Sequence, residues 1–337
     1  MDYLPNADQT QIVDAFKAFL HSELPLSRLV DATKPQGDAA SWQNLAELGW
    51  LSIAQDEVID GAGLGAAEEM LLFIEAGKNL ISPLLIASSL GARVLLDARL
   101  ADTARSLIDG TCRIAPAIAR PGAGISDQRV NGEFYLLDAE HCDMLLVVTP
   151  SQSAVLPIDS ASLTSQQCTD ESLSLNSLHL VDQTPLATSN GRVFEQALIL
   201  CSAMLTGIAE QALSLAVSYA NEREQFGKPI GAFQSIKHYC ADMALRHEAA
   251  LALTTQAALE FDSHHSEATF DALAAKLAAQ KAAIENAEAA IQIHGAMGFT
   301  REMPIHLLLK RAHILSTLFA DADALVSNLT ILPAPEL

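Results

Sequence analysis

Arg223 stands where a helical pattern breaks. It lies in Y-A-N-E-R-E-Q-F-G-K-P-I-G-A-F-Q-S-I-K-H-Y-C-A-D-M, residues 219–243, between two long Ala/Leu-rich stretches. Gly227 permits a positive φ and Pro229 has no N–H to donate, so the chain turns at 226–229. A fixed cation at a turn, with Phe226 and Phe233 on either side, suits a ligand that carries a phosphate and an aromatic ring. The plainer reading is an αα-hairpin with a solvated arginine and core phenylalanines. A second stretch, Q-I-H-G-A-M-G-F-T-R-E at 292–302, closes another helical run. Gly295 and Gly298, with Ala296 between them, leave backbone N–H groups uncovered, as a pyrophosphate cradle requires. Glycine at a helix end is also an ordinary C-cap. His294, beside that end, reads as a hydrogen-bonded structural residue rather than a base.

Other chemistries find little support. His306 and His313 are seven apart and could share a helix face, but no Asp, Glu or Cys stands at ligand spacing for a metal. Glu68, Glu69, Asp321 and Asp323 read as solvated faces. No G-x-S-x-G or Walker A motif occurs. Gly61, Gly63 and Gly65 follow an acidic loop rather than a strand, which removes a Rossmann reading. The 337 residues carry a formal net charge of −21, which disfavours a nucleic-acid binder with its need for clustered Lys and Arg. An anionic ligand must therefore be held by local donors against the overall field. Five scattered cysteines without a C-x-x-C spacing predict reduced thiols and a cytoplasmic protein. The start, M-D-Y-L-P-N-A-D, has no signal-peptide pattern. No apolar run approaches the ~20 residues needed to span a bilayer.

The elements that must position these residues fall into three blocks. Residues 1–110 read as a helical domain, with Ile12, Phe16, Phe19 and Leu20 on one buried face and a second helix carrying Trp42, Leu45 and Leu48 up to Gly49. Helices follow near 66–76 and 83–96, punctuated by Asn79 and Ser82, and a short one at 102–109. Residues 111–190 form a small, mostly antiparallel β domain with strands near 112–118, 133–137, 144–148, 154–157 and 177–181. Residues 191–337 return to helix at 193–222, 229–261, 271–294 and 305–332, an antiparallel four-helix bundle. The fold class is α+β multidomain. Alanine favours helix and lets helices approach closely, so the Ala-rich faces suit packing on other subunits.

This order of domains, with its two punctuated stretches, resembles the acyl-CoA dehydrogenase family over nearly the whole chain. The 219–243 stretch is similar to the family signature for the adenosine-diphosphate half of its flavin. Q-I-H-G-A-M-G-F-T-R-E-M-P-I-H-L-L-L-K-R-A is similar to the second signature, usually Q-x-x-G-G-x-G-[FY]-T-x-E. W-Q-N-L-A-E-L-G-W-L and G-A-G-L-G are similar to the N-terminal pattern. The resemblance implies FAD as cofactor. It implies that Arg223 pairs with the pyrophosphate, that Gln225, Phe226 and Phe233 surround the adenosine end, and that Gln292, Gly295 and Ala296 donate to the diphosphate and ribose. In the family these contributions reach the flavin of a neighbouring subunit.

The departures are as informative. The family needs a carboxylate to remove the α-proton of an acyl thioester while hydride passes to the flavin. Its two usual positions fall on Phe319, in S-T-L-F-A-D-A-D, and on Ala197, and neither accepts a proton. Asp321, Asp323 and Glu195 are near in sequence but need a register shift. The family strand T-E-P-x-x-G-S-D is replaced by A-R-P-G-A-G at 119–124, its W-I-T segment has no tryptophan here, and L-L-D-A at 136–139 stands where a longer segment is usual. The resemblance is therefore to the base-lacking subunit of heteromeric enzymes, found in this family for CoA thioesters of steroid side chains and degraded rings. Such a subunit implies a second acyl-CoA dehydrogenase-like chain in a heterotetramer, an acyl-CoA substrate and an electron-transfer flavoprotein or similar acceptor. The alternatives are a homomeric enzyme with a displaced carboxylate and a flavin-free structural subunit.

Overall fold

The computed structural model describes residues 3–30 and 41–332; the outer limits of the first and last predicted domains and the first two residues of the N-terminal stretch lie outside these. α1 (Ala7–Glu23) begins with a capping box, in which the Asn6 side chain accepts from Gln9 N–H and the Gln9 side chain accepts from Asn6 N–H. α2 (Trp42–Glu47) ends before Gly49, whose φ of 78° lets the chain reverse so that Trp50 and Leu51 enter the core. α3 (Ala66–Lys78) starts at Gly65, and the carboxylate of Asp262, distant in sequence, accepts from Ala66 N–H at 2.8 Å and Ala67 N–H at 3.0 Å. That helix terminus is thus filled by the chain's own anion. α4 (Leu84–Asp97) is buried over most of its surface, and α5 (Ala101–Ile108) closes the N-terminal helices.

Eight short strands follow: β1 (Ile114–Ala119), β2 (Gly124–Ser126), β3 (Arg129–Leu137), β4 (Met144–Val148), β5 (Ser153–Pro157), β6 (Thr164–Gln166), β7 (Leu175–Gln183) and β8 (Ala187–Ser189). They make one sheet in the order β6-β7-β3-β1-β4-β5-β8, with β2 on β3. β1 and β4 pair in parallel, Ile114 opposite Met144, and the other pairs are antiparallel. The sequence reading lacked β2, β6 and β8, each three residues long and too short to show an alternation. β4 is apolar and buried throughout because it lies inside the sheet with helices over it.

α6 (Val193–Glu222) is the central helix; α3, α7 (Gln234–Asp262) and α8 (Ala268–His294) all pack on it. Contrary to the sequence expectation, α6 has the length and hydropathy of a membrane span, but most of it is buried against these neighbours. α7 begins at 234 rather than 229. The intervening residues make a two-stranded hairpin, β9 (Glu224–Gln225) against β10 (Lys228–Pro229), then a 3-10 turn at Ile230–Ala232. Phe226 and Gly227, at φ 57° and 76°, form its two-residue tip, the positive-φ pair that such hairpins demand. The predicted helix over 305–332 is divided into α9 (Ile305–Thr317) and α10 (Ala322–Ile331). Phe319 takes φ 67° and the Asp321 side chain caps α10 by accepting from Ala324 N–H, so a new helix starts in a new direction.

One charge assignment is corrected. Glu69 is not on a solvated face: it is 1% exposed, accepts hydrogen bonds from Ser89 Oγ and Gln196 Nε2, and lies between α3, α4 and α6. Burial raises its pKa above the ordinary carboxylate value, despite those hydrogen bonds. Glu68, its neighbour, accepts from Gly65 N–H at the start of α3.

Candidate functional site

The two punctuated stretches meet at one end of the helical bundle. The Tyr219 ring, one turn before Arg223 on α6, stacks on the imidazole of His294 at the end of α8, centroids 4.1 Å apart and planes 23° from parallel. Arg223 is the C-cap of α6; its N–H donates to Tyr219 O at 2.8 Å and its carbonyl accepts from Ile230 N–H at 2.8 Å. The backbone is therefore fixed on both sides while the guanidinium is exposed, and among the described residues it has no acidic or carbonyl partner. Gln225 is exposed and donates only to the neighbouring Glu224 carbonyl. The Phe226 ring is 92% exposed and meets Phe233 edge-to-face at 6.1 Å; Lys228 Nζ lies 4.4 Å from the Phe233 ring centre.

The facing arm is equally open. Gln292 is an exposed residue of the last turn of α8, and Gly295, at φ 60°, donates its N–H to the Gln292 carbonyl. Residues Gly295–Phe299 form a 3-10 turn in which Gly295 and Ala296 are exposed. A Cβ placed on Gly227 or Gly295 would meet nothing within 4 Å. Gly298 is the contrary case, since its Cβ would lie 2.8 Å from the Ile291 carbonyl, so that glycine serves packing. His294 is buried, bonds Ala290 O through Nδ1 at 2.7 Å, and has its pKa lowered by burial, as befits a neutral structural imidazole. An exposed guanidinium, an open small-residue turn at Gly295–Ala296 and two presented aromatic rings fit the pyrophosphate and adenosine of a dinucleotide.

The positions where a base is expected have a different character. Ala197 is fully buried inside α6. Phe319 lies in the turn between α9 and α10, and that turn is held from beneath by Lys276 of α8. Lys276 is fully buried and donates to Leu318 O at 2.9 Å and Ala320 O at 3.3 Å, while Cys201, one turn beyond Ala197, donates to Leu315 O at 3.2 Å. Burial lowers the Lys276 pKa and raises that of Cys201. Sequence reasoning passed over Lys276. Its signal is a lone cation in A-A-K-L-A-A-Q, with alanine at 272 and 279 marking the buried face.

The three alternative carboxylates are dispersed. Glu195, in the first turn of α6, accepts from Thr269 Oγ1 at 2.9 Å; Asp321 is the α10 cap; Asp323 is exposed in the first turn of α10. The segment 119–124 makes a tight turn in which Ala123 N–H donates to Arg120 O, with Pro121 and Gly122, φ 86°, at its centre. Arg120 lies over the Tyr135 ring at 5.0 Å and donates to the Tyr135 hydroxyl at 2.7 Å. The residues of this turn, 119–124, and the facing Tyr135 include no tryptophan or threonine to contact an isoalloxazine, so they do not fit the ring half of a flavin as the other end fits its adenosine-diphosphate half. Among the described residues no group of three or more His, Cys, Asp or Glu is placed to hold a metal; His306 is mostly buried and His313 exposed.

Comparison with known proteins identifies the family. The acyl-CoA dehydrogenase N-terminal domain family matches residues 6–98, and the acyl-CoA dehydrogenase C-terminal domain family matches residues 190–319. The chain is 32% identical over 297 residues to acyl-CoA dehydrogenase FadE34 of Mycobacterium tuberculosis, which covers 82% of this chain but 40% of that protein. It is 30% identical over 277 residues to acyl-CoA dehydrogenase IpdE2 of the same organism, 82% of this chain and 81% of that one. It thus spans less than half of the first relative and most of the second. In fold it is similar to the ChsE4–ChsE5 complex from Mycobacterium tuberculosis, with a TM-score of 0.80 at 22% identity over 99% of this chain and 100% of that one. The chain belongs to the acyl-CoA dehydrogenase family, whose members are FAD-dependent oxidoreductases.

Proposed function

We propose that this chain is the base-lacking subunit of a heteromeric acyl-CoA dehydrogenase and completes the FAD site of a partner chain. The observation that carries the reading is the contrast between the two regions: at the Arg223–Gly295 end of the bundle the guanidinium is exposed and the glycine turn has open space around it, whereas Ala197 and Phe319 are built into packed structure. In the reaction, an acyl-CoA thioester loses an α-proton to a carboxylate and a β-hydride to the flavin, which supplies the hydride acceptor when bound. This chain's part is to bind and orient. Arg223 holds the pyrophosphate, Gln225, Phe226 and Phe233 enclose the adenosine end, and Gln292 and Ala296 donate to diphosphate and ribose, with Gly295 leaving room for their approach. The partner supplies the base, the isoalloxazine pocket and the acyl-CoA site. The engagement of Glu195 with Thr269 and of Asp321 with its own helix argues against a displaced base. The similarity to a two-component complex supports the heteromeric arrangement. The substrate class we infer is a bulky polycyclic acyl-CoA, after the steroid-type arrangements that the sequence resembles.

Arg223→Ala in the complex, obtained by co-expression with a neighbouring acyl-CoA dehydrogenase gene, tests this directly. A charge-assisted contact is worth about 1.5–3 kcal/mol, so flavin affinity is expected to fall by about ten- to a hundred-fold with the complex intact. An unchanged flavin content would instead mean a flavin-free structural subunit.

A further inference from the structure

The clamp proposed above has two arms on different helices. Arg223 ends α6, and the Gly295 turn ends α8, so the arms are about 70 residues apart in the chain. Among the described residues no hydrogen bond joins one arm to the other. The hairpin after Arg223 is two residues per strand, and the 3-10 turn after His294 begins at a positive-φ glycine with open space around it. For both arms to meet one pyrophosphate, something must fix one against the other.

We propose that the Tyr219–His294 stack is that coupling, a positioning pair which touches no ligand but sets the distance between Arg223 and the Gly295 turn. The inference rests on the reading of this end of the bundle as a flavin clamp. Each ring is at the root of its arm. The Tyr219 carbonyl accepts the N–H of Arg223, so a shift of Tyr219 carries Arg223 with it. His294 is the residue immediately before Gly295, and the close approach of Gly298 to its Cβ, 3.3 Å from a Cβ built on that glycine, ties the turn to the same side chain. The imidazole cannot swing freely, because Nδ1 is bonded to Ala290 O. It is kept neutral by burial, so that it stacks as a flat apolar face. The ring of Tyr219 is half-buried, and its hydroxyl has no hydrogen-bond partner among the described residues. The ring rather than the phenol is what the pair uses.

The test is a double-mutant cycle on the flavin-retaining assembly, read as the dissociation constant for FAD and checked against the melting temperature. Tyr219→Ala is expected to weaken FAD binding about ten-fold, the low end of the loss expected for Arg223→Ala, and Tyr219→Phe to leave it unchanged. The decisive arm is Tyr219→Ala with Arg223→Ala. If Tyr219 acts by placing Arg223, the double variant binds FAD no worse than Arg223→Ala alone. Fully additive losses, or Tyr219→Phe behaving as Tyr219→Ala, would overturn the proposal. Full FAD affinity in Tyr219→Ala with a loss in Arg223→Ala would overturn this inference and leave the clamp standing. Full affinity in both would remove the clamp itself.

Discussion

Asp170 and Arg311 are both sealed from solvent, 0% and 1% exposed, and their side chains meet at 2.6 Å. Arg311 also donates to Leu80 O and Ile81 O, while Ser172 donates to Asp170, so one buried ion pair ties the loop before α4, the segment before β7 and α9 together. Burial alone would raise the Asp170 pKa, but the Arg311 charge and the Ser172 hydrogen bonds outweigh it and hold the carboxyl below its ordinary value. A depressed folded-state pKa contributes stability that is fully present above the unfolded value and is lost as pH falls through the folded value. Asp170→Asn is therefore expected to cost about 3–5 kcal/mol at neutral pH, because it strands a buried guanidinium. It should also flatten the dependence of stability on pH below about 4, as denaturant melts at several pH values would record. At this scale the sequence was partly legible. Arg223 and the glycines are visible because their types are unusual for their setting. Glu69, Asp170 and Lys276 are charged residues whose burial depends on partners far along the chain, and no local pattern announces that.

At the scale of elements, α3 and α6 are in backbone contact. A Cβ on Gly77 would lie 2.0 Å from the Met204 carbonyl oxygen, and one on Gly207 would lie 2.0 Å from that of Ile74. Only glycine fits at such a crossing, and even one methyl group must push the helices apart. Gly207→Ala is expected to destabilise the chain by about 3 kcal/mol or more in urea unfolding. Gly124→Ala, where a Cβ would meet nothing, should stay within about 0.5 kcal/mol. Equal effects of the two would contradict the packing account. The long helices were legible from apolar periodicity, and 193–222 was read with its observed bounds. The break between α9 and α10 was not, because the apolar pattern runs through it and the turn is held by Lys276 from another helix. The corner at 226–229 was legible as a turn, since Gly and Pro act locally. Its hairpin form requires Phe226 at positive φ, which a phenylalanine does not advertise.

At the scale of the molecule, a chain of net charge −21 presents an exposed arginine and an open small-residue turn at one end of its bundle. The local donors stand against an unfavourable overall field, so an anion proposed to bind there must be one they contact directly. The family and fold were legible in the sequence because two signatures and the order of helices, strands and helices are carried by residue type and spacing. The proposed division of a flavin site between chains rests on departures at 119–124, 197 and 319, residues whose meaning depends on what a neighbour would supply. The most direct test is flavin absorbance per polypeptide for the purified chain, alone and with its partner, followed by addition of an acyl-CoA. The account predicts no bound flavin and no bleaching for the chain alone, with flavin retained and reduced in the complex. A chain that purified alone with a full complement of flavin, bleached by an acyl-CoA, would contradict it.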